Sequence, residues 1–265
     1  MANTKIEWCE RSWNPITGCT PISEGCKHCY AERMSKRLAG RCGYDKDEPF
    51  KVTLHPDKFD DPLRWKKPSK IFVCSMGDLF HEDVDDGLLC RVFDVMAVAA
   101  HHTFLILTKR PVRMRDFFAR CVHGNFHNLW LGVTAENQQR ADERIPILLQ
   151  IPAAKRFVSI EPMLGLVDLR NLKYDNDILD ALGGEYLSTD GSEAYVPWNK
   201  LDWVICGGET GPGARPMHPD WVRSLRDQCQ EADVPFFLKS MHIDGKIVKL
   251  PELDGRRWGE FPNAK

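Results

Sequence analysis

Short apolar runs that are continuous rather than alternating recur along this chain, and each closes on polar or glycine residues ahead of a helical pattern. They cover residues 70–74, 103–107, 129–133, 156–160, 202–206 and 235–238. A strand covered on both faces has no solvent side to demand a polar residue at every second position, so such runs predict parallel strands under helices. With 13–17 as a first strand, about seven βα units result.

The intervening stretches agree. Asp85 or Asp86 can cap a helix that puts Leu88, Leu89, Val92, Phe93 and Met96 on one face. Pro111 stands where a first helical turn tolerates it, ahead of Met114, Phe117 and Phe118, and Pro219 opens 221–231 in the same way. A chain of 265 residues can build one large core or two small ones. The expectation is therefore α/β: a single domain over 1–265, a partial or closed (βα) barrel of about six or seven parallel strands, with a doubly wound open sheet as the alternative. Two segments break the rhythm. Residues 41–70 are long, proline-containing and basic-aromatic, while 173–193 sets one lysine against Asp175, Asp177, Asp180, Glu185, Asp190 and Glu193. The second reads as a solvated surface excursion, running to about 195, without a catalytic role.

The longest apolar stretches, such as 95–100 and 103–107, fall far short of the roughly 20 residues that span a bilayer, so no membrane partner is expected. The N-terminus, with Lys5 and Glu7 beside Ile6 and Trp8, lacks the apolar core of a signal peptide, which predicts a cytoplasmic protein with reduced thiols. Ten cysteines are many for such a protein, and clustered thiols in that compartment more often bind metal or do catalysis than pair as disulfides. With 36 Lys+Arg against 38 Asp+Glu, only a local basic strip could contact nucleic acid.

The cysteines do cluster. Cys19, Cys26 and Cys29 lie in a loop that carries Pro21 and Gly25 as turn formers, follows the first strand and precedes a helix running from Tyr30 to Leu38 and stopping at Gly40. In a parallel barrel such loops build the active site. Three thiolates can hold three corners of a [4Fe–4S] cube and leave the fourth iron open. A structural zinc site needs four ligands, so His28 or a distant cysteine would have to join them, and the spacing alone leaves zinc open.

A barrel also gathers the residues that follow each strand. These are Ser75, Met76 and Asp78 after the second, Thr108, Lys109 and Arg110 after the third, Thr134 and Glu136 after the fourth, Glu161 after the fifth, Gly207, Gly208 and Glu209 after the sixth, and Lys239 after the seventh. So many charges beside apolar strands point to a polar ligand. Cys74 and Cys206 end strands, where a hydrogen-atom donor is conceivable; Cys9, Cys42, Cys90, Cys121 and Cys229 read as packing residues, and His101 and His102 as structural. The strip Arg64-Trp65-Lys66-Lys67-Pro68-Ser69-Lys70 suits phosphate and base contact, with plain solvated charge as the alternative.

The loop Cys-x6-Cys-x2-Cys-Tyr-Ala-Glu resembles the radical S-adenosylmethionine cluster loop, whose usual first gap is three residues. The wider pattern is similar to a phage-associated radical-SAM-like family of unassigned activity, through 13–19, 75–82, 107–111, 131–134, 159–162 and 207–216. The resemblance implies that Cys19, Cys26 and Cys29 hold a [4Fe–4S] cluster and that S-adenosyl-L-methionine chelates its open iron. It implies cofactor contacts from Tyr30, Ser75, Asp78, Thr108, Glu161, Gly207 and Gly208. Asp78 or Glu209 would receive the amino end, and Lys109 or Arg110 a carboxylate or phosphate. Gly207-Gly208-Glu209 resembles the superfamily's Gly-Gly-Glu element, displaced here from the second strand to the sixth. Cys206, Cys74 and Glu209 stand as catalytic candidates, and Lys109, Arg110, Arg215 and Lys239 as substrate contacts. An external one-electron reductant of the flavodoxin or ferredoxin kind is implied, as is hydrogen abstraction from a nucleobase or nucleic-acid substrate, such as a damaged thymine, by analogy with the distantly similar spore photoproduct lyase. Two rivals remain: a zinc-stabilised nucleic-acid-binding protein without redox chemistry, and a metal-dependent barrel hydrolase using Glu161, Glu209 and Asp78 with His81.

Overall fold

The structure, a computed structural model, describes residues 4–122, 127–188 and 196–263. Asp190 and Glu193 of the acidic stretch lie outside the described residues. The chain divides into two compact units, Met1–Leu131 and Gly132–Lys265.

The first unit holds β1 (Arg11–Trp13), β2 (Lys70–Val73), β3 (Thr103–Thr108) and the opening of β4 (Leu129–Thr134), with α1 (Tyr30–Leu38), α2 (Asp86–Val98) and α3 (Pro111–Cys121). β1, β2 and β3 pair in parallel in chain order. Along β3 successive residues Phe104, Leu105 and Ile106 are buried on both faces, whereas β2 buries Ile71 and Val73 on one face with Phe72 between them partly exposed, and β1 buries Trp13. The helices cover them with Leu89, Val92, Phe93, Met96, Met114 and Phe117, and Phe93 meets Phe117 at 5.2 Å between ring centroids. Asp85, not Asp86, caps α2, accepting from the Leu88 backbone N–H at 2.8 Å.

The second unit continues with the rest of β4, then β5 (Lys155–Ile160), β6 (Trp203–Gly207), β7 (Phe236–Ile243) and β8 (Lys246–Lys249), with α4 (Gln138–Leu149) and α5 (Pro219–Glu231). β5, β6 and β7 are parallel, and β8 returns antiparallel to β7. Gly132 on β4 lies so close to the Phe157 ring that a Cβ would sit 2.5 Å from it. The acidic stretch forms a separate antiparallel sheet of Leu172–Tyr174, Asp177–Asp180, Glu185–Leu187 and Val196–Pro197. Leu172 and Leu179 pair in register and are fully buried, so the stretch has an apolar side beneath its acids.

The α/β class holds, but a closed barrel of six or seven strands does not. The eight strands run β1 to β8 in spatial order, which leaves an open, mostly parallel sheet. Its last position is taken by β8, an antiparallel strand exposed at all four residues; lysines at both of its ends discourage another strand from pairing there. The first strand is also shorter and earlier than 13–17. Pro15 has no N–H to give a ladder, and Ile16–Thr17 instead pairs antiparallel with Thr53–Leu54. Asp85→Ala is expected to cost about 1 kcal/mol through loss of the cap, read as a lower urea midpoint at unchanged slope.

Candidate functional site

In the first unit, the cysteine loop leaves the sheet through a glycine contact. Gly18 pairs with Gly77 beyond the end of β2, and its N–H donates to the Met76 carbonyl at 3.0 Å. A Cβ on Gly77 would lie 2.6 Å from the Gly18 carbonyl oxygen, and one on Gly18 only 2.1 Å from that of Lys51. Gly18 also holds φ +89°, so only glycine meets both its conformation and its neighbours. Asn14 Oδ1 accepts from the Met76 N–H at 3.0 Å and the Ser75 hydroxyl at 3.2 Å, tying the turn after β2 to the segment that leads into the loop.

Asp78 and Arg110 lock this end of the unit. Asp78 is buried, and its oxygens accept from the Phe80 N–H at 3.0 Å, the Thr108 hydroxyl at 2.7 Å and the Lys109 N–H at 3.1 Å. Arg110, at the start of α3, is equally buried. Its Nε reaches both oxygens of Glu82 at 3.0 Å, Nη1 donates to Asp78 and to the Cys19 sulfur at 3.4 Å, and Nη2 donates to the Thr20 carbonyl at 3.2 Å. His81 Nδ1 accepts from the Asp83 N–H, so Nε2 carries the proton and donates to the Thr20 hydroxyl at 2.9 Å. Arg110 therefore works as a fork holding the loop.

Two of the three thiols face a cation. Arg110 donates to Cys19, and Lys109 Nζ lies 3.6 Å from the Cys26 sulfur. Burial and then the Asp78 charge push the Cys19 thiol up to about 11, against the pull of Arg110. At Cys26 burial also raises, but the Lys109 charge and hydrogen bonds from Ile22 and Ser23 outweigh it, and the thiol is lowered. Cys29 is the N-cap residue of α1, donating its N–H to the Cys26 carbonyl at 3.1 Å. A cavity of about 520 Å³ opens beside Cys19 and Thr20, bounded by Lys36, Phe50, Lys51 and Asp83. Tyr30 opens α1 with its ring largely exposed.

Among the described residues, no three His, Cys, Asp or Glu side chains stand close enough together to share one metal ion. The donor chemistry nevertheless fits a thiolate-held cluster: three free cysteines of one loop, each partly exposed, two with cationic donors toward sulfur.

The second unit holds the other expected residues. Glu161 follows β5 and accepts from Lys239 Nζ at 2.6 Å. Gly207 and Gly208 close β6 against β7, where the register shifts by one residue at Lys239. Glu209 is engaged by Arg215 through its backbone N–H at 2.8 Å and its Nε at 2.9 Å, so this pair closes the loop between them. Cys206 is fully buried, its thiol raised by burial and then by the Glu161 charge, and it contacts the Met163 sulfur at 3.6 Å. In the first unit Cys74 is likewise buried, and its thiol is pushed up to about 12 by desolvation. Glu136 pairs internally with Arg144 at 2.9 Å. In the basic strip, Trp65 carries the Arg11 guanidinium over its ring at 4.7 Å and lends its carbonyl to His101.

Sequence reading missed Asn14, Thr20 and Glu82 as organisers of the loop. Their partners lie 62, 90 and 28 residues away, so no local pattern marks them. Arg110→Met should leave the Asp78 charge without its cation and cost about 3 kcal/mol in urea unfolding. Arg110→Lys should recover only part, since an ammonium cannot reach Glu82, Asp78 and Thr20 at once.

No helix among the described residues is long and apolar enough to cross a membrane. No curated protein and no solved structure matches the chain. The family described as "Protein of unknown function (DUF5131)" matches residues 3–262, nearly the whole length, and the chain belongs to that family.

Proposed function

We propose that this protein is a radical S-adenosylmethionine enzyme whose cluster is held by Cys19, Cys26 and Cys29. The observation that carries the reading is the pair of cations, Arg110 and Lys109, directed at the sulfurs of Cys19 and Cys26. When bound, a reduced [4Fe–4S] cluster supplies the electron that splits S-adenosylmethionine into methionine and a hydrogen-abstracting 5′-deoxyadenosyl radical. The chain supplies placement. Arg110 fixes Thr20 and Cys19 relative to Asp78, so one corner of the ligand set is positioned before any metal arrives. Lys109 holds positive charge beside Cys26, which favours a thiolate over a thiol there.

The cavity beside Cys19 gives a small molecule room next to the loop. An external one-electron donor is required by the chemistry. A nucleobase or nucleic-acid substrate is the substrate class we propose, on the resemblance to lesion-repair enzymes and on the cations of the 64–70 strip. A structural zinc site would need a fourth protein ligand beside the three loop cysteines, with His28 or a distant cysteine as the candidates.

Anaerobic reconstitution with iron and sulfide tests the reading. We expect a brown protein with about four irons per chain, and 5′-deoxyadenosine on reduction with S-adenosylmethionine. A colourless protein with one tightly held zinc would overturn it. Cys19→Ala, Cys26→Ala and Cys29→Ala should each abolish iron loading, while Cys42→Ala and Cys121→Ala load normally. Iron loading that survives loss of a loop cysteine but not of a scattered one would refute the ligand assignment.

A further inference from the structure

The proposed cluster uses three of the ten cysteines, and Cys74, Cys206 and Cys229 are sealed in the core, away from any external oxidant. Of the remainder, two meet. Cys90 on α2 and Cys121 at the end of α3 are both partly exposed, and their thiols stand within hydrogen-bonding reach of each other.

Helix packing puts them there. On α2, Cys90 lies one turn beyond Asp86 and one turn before Phe93, so the three share a face. On α3, Cys121 lies one turn beyond Phe117 and directly after Arg120. Across the interface Asp86 pairs with Arg120 at 3.0 Å, and Phe93 meets Phe117 at 5.2 Å between ring centroids. Asp86 also holds Arg113 at 2.8 Å. Ion pairs on one side of Cys90 and packed rings on the other therefore fix the two helices around the sulfurs. The Cys90 thiol is raised by burial and then by the charge and hydrogen bond of Cys121, the electrostatic mark of two sulfurs in contact.

Two thiols held face to face on packed helices have little left to do but pair, and both can be reached from solvent. We propose that Cys90 and Cys121 form a reversible disulfide by exchange with a small oxidised thiol such as oxidised glutathione. One cysteine, as thiolate, attacks a glutathione sulfur; the S–S bond of the reagent breaks, a mixed disulfide forms and one glutathione leaves as thiolate. The second cysteine loses its proton to solvent and attacks the protein sulfur of that mixed disulfide, releasing the second glutathione. The protein gives up two electrons and two protons, and the reagent takes them to become two thiols. In a reducing compartment the same exchange runs backwards and restores both thiols. The bond ties α2 to α3, the helix that starts at the Arg110 fork. The pair lies outside the cysteine loop, so the proposal stands whether or not that loop holds iron.

Peptide mass spectrometry on the full chain without added iron tests this, after equilibration with oxidised glutathione, acid quenching, alkylation and digestion. We expect a linked peptide pair containing Cys90 and Cys121, two hydrogens lighter than the two free peptides together, that disappears with dithiothreitol. Its yield should be at least about tenfold higher in the folded protein than in urea, because only the fold holds the sulfurs together. Cys90→Ser should stop the reaction at a glutathione adduct on Cys121. The proposal fails if the linked peptide is absent, or if glutathione adducts accumulate on both cysteines of the unsubstituted protein. It fails equally if urea leaves the yield unchanged, or if Cys121 of the Cys90→Ser protein pairs with another cysteine as readily as it does with Cys90.

Discussion

The buried guanidinium of Arg110 is the interaction on which the first unit's functional end depends. It joins Asp78 after β2, Glu82 in the following turn, and Thr20 and Cys19 in the cysteine loop. A planar fork with five donors can satisfy partners in several directions at once, which an ammonium cannot. Because the group is desolvated, each of those bonds matters more than it would at the surface, and removing the fork strands Asp78. The close approach of Gly18 and Gly77 complements it, one fixing the loop by polar contacts and the other by excluding every side chain but hydrogen.

Each unit has polar side chains that the fold consumes and others that it leaves unmatched. In the first, the carboxylate of Asp78 is consumed by backbone and side-chain donors, so it organises the site more than it waits for a ligand. In the second, Glu209 is consumed in the same manner by Arg215, while buried atoms with no hydrogen-bond partner among the described residues occur in both units, as at His102 Nδ1 in the first and Ser240 Oγ in the second. The contrast bears on which groups are available to bind something else. A carboxylate with all its acceptor sites occupied must give up a bond to take a new partner, and an orphan gives up nothing.

Much of the fold was legible as a pattern. The runs at 70–74, 103–107, 129–133 and 156–160 became β2 to β5 with ends shifted by one residue at most; β3, β4 and β5 bury consecutive residues, which leaves little place for polar ones, while β2 buries alternate residues. The helix from Tyr30 to Leu38 and the proline starts of α3 and α5 were likewise visible. The antiparallel sheet within the acidic stretch was not, since its strands are two to four residues long and its buried leucines are outnumbered by acids. The antiparallel β8 was equally hidden, its Ile247 and Val248 flanked by lysines in a run too short to separate from a loop.

By itself the sequence determined the kinds of elements, the strand positions and the gathering of three cysteines in one loop, because these follow from local periodicity and turn residues. Tertiary structure alone decided that the sheet stays open, since closure depends on which strand takes the last edge and not on any strand's own composition. It alone decided the state of each charged residue. Asp78, Glu209 and Glu161 look alike along the chain, yet the first two are enclosed by donors and the third keeps an oxygen free. The partners of Asp78 and Glu161 come from 30 and 78 residues away, distances that are set by folding and not written in any local window, whereas Arg215 stands only 6 residues from Glu209.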